Sequence, residues 1–113
     1  MLDGVTSVVV GYTGGTTPFP TYENIGDHTE AVRIEFDPSV ISYYDILEHM
    51  MGQHSPTSMQ STQYRSAIFV HSAEQKMVAE EIKHLMARHL RKPIFTDIEK
   101  AGPFYRAEEY HQK

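Results

Sequence analysis

This chain of 113 residues contains neither cysteine nor tryptophan. Without a thiol it has no thiolate nucleophile, no redox dithiol, no iron–sulfur cluster and no cysteine-ligated zinc of its own. The lack of cysteine does not choose between oxidising and reducing compartments. Basic residues are also scarce, with 10 Lys and Arg against 15 Asp and Glu and a net charge of −5. That balance lacks the clustered basic face that displaces counterions from a phosphate backbone, so nucleic acid is excluded as a partner. Long apolar runs are missing too. Val8 to Val10 is typical of what there is, far short of the roughly 20 residues that span a membrane. Met1-Leu2-Asp3-Gly4 shows no basic stretch followed by an apolar one, so no secretory leader is read and a soluble cytoplasmic protein is expected. The length predicts one domain over 1–113, burying about two-thirds of its unfolded surface.

What is present reads as strands and helices in one small core. The β-branched run Val5 to Val10 predicts a strand, and Gly11 to Pro20, rich in Gly, Thr and Pro, predicts a long loop. Val32, Ile34 and Phe36 alternate with Arg33 and Glu35, a strand with one buried face, stopped by Asp37-Pro38. Ser42 and Asp45 open a helix whose apolar face is Tyr43, Ile46, Leu47, Met50 and Met51, and Gly52 ends it. Gln53 to Thr62 is a polar loop and Tyr64 to Val70 a strand. Ser72 and Gln75 open a second helix with Met77, Val78, Ile82, Leu85, Met86, His89 and Leu90 on one face, ended by Pro93. Its acids lie early and its bases late, as the helix dipole favours. Ile94 to Ile98 is a last strand, followed by a loop at Gly102-Pro103 and a polar tail. The order β-β-α-β-α-β predicts an α+β two-layer sandwich.

Three chemical readings present themselves. Of the seven histidines, His49 and His54, and His84 and His89, are five apart. Five residues turn a helix by about 140° from the starting side chain, so these pairs share no face and no metal site is read. Gly11 to Gly15 lacks both the Lys-Ser/Thr ending and the following helix of a phosphate loop, so it is read as a structural or substrate-lining loop. Met50, Met51, Met77 and Met86 are read as core filling. One acid stands out. Glu30 precedes the alternating strand among small and polar residues, with Tyr22 and Tyr64 in loop or strand-edge positions. A carboxylic acid beside phenols can protonate or hydrogen-bond a polarised oxygen where an apolar pocket raises its pKa.

Several blocks carry a resemblance. They are Val10-Gly11-Tyr12-Thr13-Gly14-Gly15, Pro20-Thr21-Tyr22, His28-Thr29-Glu30-Ala31-Val32, Ile41-Ser42-Tyr43-Tyr44, Thr62-Gln63-Tyr64-Arg65-Ser66-Ala67-Ile68 and Ala101-Gly102-Pro103-Phe104-Tyr105-Arg106-Ala107-Glu108-Glu109-Tyr110-His111-Gln112. In this order, and over nearly the whole chain, they resemble the peptide methionine sulfoxide reductase A family. The resemblance implies a ferredoxin-like β-α-β-β-α-β sandwich and reduction of peptide methionine (S)-S-oxide, without a cofactor. In that family a cysteine in a Gly-Cys-Phe-Trp motif attacks the sulfoxide sulfur, while a glutamate and two tyrosines bind its oxygen. By motif these correspond to Glu30, which would supply the proton, and to Tyr22 and Tyr64.

The departures lie where the chemistry is. The family's first strand and helix, with the Gly-Cys-Phe-Trp motif between them, have no counterpart, since Leu2-Asp3-Gly4-Val5 already matches the segment after that helix. The resolving cysteines are absent, the loops from Gln53 to Ser61 and between Tyr22 and Glu30 are shorter, and the family's Gly-Asn-Asp stretch is missing. Sulfoxide reduction needs an electron-pair donor at sulfur, which no serine or methionine here replaces. The expectation is therefore a chain inactive alone. Glu30 would be a vestigial proton donor, and Tyr22, Glu30 and Tyr64 a remnant pocket for methionine sulfoxide or another small polar group. Loss of the family's central first strand would leave backbone groups unmatched inside a sheet. Rearranged strand pairing, or a homodimer or other partner chain completing the sheet, is predicted.

Overall fold

The computed structural model describes residues 2–52 and 65–112. Seven regular elements and a terminal turn follow one another: β1 (Val5–Thr13), β2 (Thr29–Phe36), α1 (Tyr43–Met51), β3 (Ala67–Val70), α2 (Ala73–Leu90), β4 (Asp97–Lys100), β5 (Phe104–Arg106) and a 3₁₀ turn over Glu109–His111. The fold is the α+β class expected. Its strands form two separate sheets, one ordered β2-β1-β5 and the other β3-β4. β1 is antiparallel to both its neighbours, and β3 and β4 run parallel.

Both helices start where their caps direct. Ser42 Oγ accepts from the Asp45 amide at 3.0 Å, and Ser72 Oγ accepts from the Gln75 amide at 3.1 Å, each satisfying an amide with no partner inside its helix. Gln75 Oε1 in turn accepts from the His71 amide at 2.8 Å. Gly52 closes α1 with a right-handed φ of −75°, whereas Arg91 closes α2 in the left-handed region at φ 54°. The aliphatic core joins α1, β3 and α2 through Leu47, Met51, Ile68, Val70, Ala79 and Ile82, with Ile94 beside them.

Several expectations change. The strand predicted over Val5 to Val10 continues through Gly11, Tyr12 and Thr13, because β2 and β5 clamp that stretch from both sides. Glycine is required there: a Cβ on Gly11 would lie 2.4 Å from the Tyr105 carbonyl oxygen. The last strand lies at Asp97–Lys100 rather than Ile94 to Ile98, and the polar tail contains β5 and the 3₁₀ turn. On α2 the buried residues are Ala79 and Ile82, while Met77 is 71% exposed, so Met77 is not core. The face of Val32, Ile34 and Phe36 is not buried either; Val32 is 44% exposed, and all three look into a cavity. β2 pairs with β1 and β3 with β4. Among the described residues no strand fills the space between β2 and β3. Tyr64, His54 and the Gln53 to Thr62 loop lie outside the described residues.

Candidate functional site

The β1–β2 register places Tyr12 opposite Glu30 and Thr13 opposite Thr29. Directly opposed residues project from the same face of a sheet, so the acid and the phenol are neighbours. Tyr12 is fully buried. Its hydroxyl donates to Glu108 Oε2 at 3.4 Å, and the same carboxylate oxygen accepts from the Tyr110 hydroxyl at 2.9 Å and the Tyr22 amide at 3.4 Å. Glu108 thus gathers β1, the loop bearing Tyr22 and the chain's end at one point. Burial, then the charges and hydrogen bond around it from Glu108 and the charge of Glu30, push the Tyr12 phenol up to about 12. Burial opposes ionisation of Glu108, yet the donors from Tyr110, Tyr22, its own amide and Tyr12 outweigh it and hold the carboxyl below the usual glutamate value. Near neutral pH the site therefore carries an ionised Glu108 against a protonated Tyr12.

The loop after β1 is held by polar clamps. Asp27 accepts from the amides and hydroxyls of both Thr16 and Thr17, at 2.8–3.0 Å. Led by the Thr16 hydroxyl, these donors hold its carboxyl well below the usual range. His28 is buried, with Nδ1 accepting from the Gly15 amide at 3.2 Å and Nε2 2.6 Å from the Thr17 carbonyl. That pairing assigns the Nε2–H tautomer. Gly15 has no room for a side chain, since a Cβ would meet Asp27 and the His28 backbone. The packing of this loop therefore requires glycine at position 15.

Beside Glu30 opens a cavity of about 540 Å³ between β2 and β3. Its lining takes Glu30 to Ile34 from β2 and Ala67, Ile68 and Phe69 from β3, with Ile46, Leu47, Met50 and Met51 of α1 also facing it. Arg65 spans one end. Its Nε donates to Thr29 Oγ1 at 2.8 Å, Nη1 pairs with Asp97 at 2.9 Å and with Glu99, and the guanidinium lies 5.6 Å from the Phe69 ring centroid. The hydrogen bond to Glu99, opposed by burial and reinforced by Asp97, keeps Arg65 even more firmly charged than usual.

Three comparisons bear on what this arrangement is. The peptide methionine sulfoxide reductase family pattern matches residues 1–113. The peptide methionine sulfoxide reductase MsrA of Ligilactobacillus salivarius is 46% identical over 123 residues, covering 98% of this chain and 72% of that protein. The chain belongs to the peptide methionine sulfoxide reductase family. Mxr1 from Saccharomyces cerevisiae in its reduced form superposes with a TM-score of 0.91 at 29% identity, covering 97% of this chain and 70% of that one. For methionine sulfoxide reductase A of Corynebacterium diphtheriae the TM-score is 0.87 at 33% identity, with 96% and 62% covered. The chain thus spans about two thirds of the length of the family members it matches.

Of the residues singled out by motif, Glu30 stands at the cavity and Tyr22 is joined to it indirectly. Tyr22 is half-exposed, its amide on Glu108, which in turn holds Tyr12 beside Glu30. Glu108 and Tyr12 were not singled out by sequence reasoning. The Glu108-x-Tyr110 spacing is the signal that was there, but nothing local says that this carboxylate reaches back 96 residues to Tyr12. No group of three or more His, Cys, Asp or Glu that could hold a metal occurs among the described residues. No helix among them is long and apolar enough to cross a membrane.

Proposed function

We propose that this chain recognises the sulfoxide group of an oxidised methionine and does not reduce it unaided. The observation that carries the reading is the position of Glu30. It sits beside the buried Tyr12 at the edge of a largely apolar cavity, in a chain without cysteine. Glu30 and the phenols of Tyr22 and Tyr64 take the sulfoxide oxygen, and the apolar wall takes the methyl group. Such a ligand is small, polar at one end and apolar at the other, as cavities of this size commonly accept. The cytoplasm is the compartment we assign it.

The test is an NMR titration with the S and R epimers of a blocked methionine sulfoxide. Shifts centred on Tyr22, Glu30 and Tyr64 with the S epimer alone are expected. Glu30→Ala, which removes the acid's O–H donor to the sulfoxide oxygen, should weaken that binding about 10-fold, the worth of one hydrogen bond. Equal response to both epimers, or none, overturns recognition. Conversion of the S epimer to the blocked methionine, with dithiothreitol oxidised to its disulfide and water formed, faster than in the absence of protein, overturns catalytic silence.

A second reading is favoured by the gap between β2 and β3. Here the chain is part of a peptide-methionine (S)-S-oxide reductase whose catalytic segment is supplied by a partner chain or precedes this one. Homodimerisation is a further form of the same completion, with a second copy closing the sheet.

A further inference from the structure

Glu108 turns its carboxylate away from its own backbone turn. It stands at the cap position of the 3₁₀ turn over Glu109–His111, where a side-chain oxygen can satisfy the turn's first amides, yet it makes no cap bond there. Its Oε2 instead takes the Tyr12 hydroxyl, the Tyr110 hydroxyl and the Tyr22 amide. Two anchors bracket it. The Ala107 amide donates to the Val10 carbonyl at 2.9 Å, and the Gln112 side chain grips both backbone groups of Val10 at 2.8 Å. Glu108 is therefore presented by a segment fixed to β1, 86 residues beyond the Tyr22 it reaches.

The loop bearing Tyr22 needs such a hold. Thr21 and Asn24 exchange amide-to-carbonyl bonds at 3.3 and 3.2 Å, and the Asn24 amide also donates to Thr21 Oγ1 at 3.0 Å. The turn is closed on itself, so its place relative to β1 is set from outside. Asp27 and His28 fix Gly15, Thr16 and Thr17, at the start of the loop. Glu108 holds the Tyr22 amide with the same oxygen that holds Tyr12. Charge decides what part it plays. Despite burial, its donors keep the carboxyl below the usual glutamate value, and an ionised carboxylate only accepts hydrogen bonds. A sulfoxide oxygen is an acceptor too, so Glu108 has no bond to offer it. Tyr12 has none either, because its one proton is committed to Glu108.

We propose that Glu108 is a positioning residue of the sulfoxide site: it does not touch the ligand, and by holding the Tyr22 amide it sets where the Tyr22 phenol stands against Tyr12 and Glu30. For its ligand this rests on the sulfoxide reading above, whereas the hold itself is measurable in the free chain. The test uses the full chain with Glu108→Ala, which removes the acceptor, Glu108→Gln, which keeps an acceptor oxygen without the charge, and Tyr22→Phe. In free Glu108→Ala the Tyr22 amide is expected to exchange about 10-fold faster, while Thr16 and Thr17 keep their rates. Affinity for the S epimer of blocked methionine sulfoxide should fall about 10-fold, and Glu108→Gln should recover part of that loss. Tyr22→Phe should weaken binding in the parent chain but cost nothing further beside Glu108→Ala, because a displaced phenol has no bond left to lose. Additive losses are what a merely stabilising residue gives, and they overturn the proposal. So does an unchanged Tyr22 exchange rate, or equal loosening of Thr16 and Thr17. Should Glu108→Ala not fold, Glu108→Gln decides: a Tyr22→Phe loss as large beside it as in the parent chain overturns the proposal, and a smaller one supports it. No S-epimer binding by the parent chain overturns the sulfoxide reading, and the Tyr22 exchange rates then decide the hold on their own.

Discussion

The two sides of the cavity are held by different chemistry. On the side of α1, β3 and α2, Leu47, Met51, Ile68, Val70, Ala79 and Ile82 make an aliphatic cluster whose strength is non-directional burial. On the side of β2, β1 and β5 the interior is largely polar: His28, Thr29 and Thr13 are buried with Tyr12, and Asp27, Glu108 and Gln112 tie loops to strands. Gln112 is the clearest case. Its side-chain amide accepts from the Val10 amide and donates to the Val10 and Ala107 carbonyls, so it acts as an added piece of sheet. Burial supplies stability, whereas directional bonds fix where a phenol or a carboxylate points. The candidate site lies on the polar side for that reason.

The contrast is broken most strongly from the apolar side. Ile82→Ala should cost about 2–5 kcal/mol, a lost side chain plus its cavity, read as a lower urea midpoint for the whole domain. A loss below about 1 kcal/mol would mean that the aliphatic cluster is not the main source of stability. A smaller and more local effect is expected from Gly11→Ala. The added methyl meets the Tyr105 carbonyl and the Phe104 ring, so β5 should separate from β1 at a cost of about 1–3 kcal/mol. Amide exchange would rise over 104–107 while α2 stays protected. Equal loosening of α2 would show that the two sides are not separable.

The smallest effect sharpens the comparison through pH. Asp27 has a folded pKa below its ordinary 3.8, so its stabilisation is complete above that ordinary value. It is lost only as pH falls through the depressed one. The Thr16 and Thr17 amide resonances should therefore hold steady down to about pH 4 and move only below it. Movement between pH 5 and 7 would contradict the Asp27 clamp.

Much of this was legible in residue order. Ser42 and Ser72 mark helix starts because a cap is a local bond, and Glu30 and Tyr22 stand out because their motifs are contiguous. Met77 was misplaced for a geometric reason. It precedes Ile82 by five residues, about 140° around the helix, and so faces water while Ile82 faces the core. β5 is only Phe104–Arg106, too short to show alternation, and exists because β1 passes beside it. The reach of Glu108 and the cavity beside Glu30 depend on contacts between distant stretches, which no local pattern encodes.

The Arg65 fork has a further consequence. By bridging Thr29 of β2 to Asp97 and Glu99 of β4 it ties one sheet to the other. Two of its three partners are carboxylates, so added salt should loosen the tie. The spacing of the two sheets at that end is thus set by one guanidinium and not by the aliphatic core.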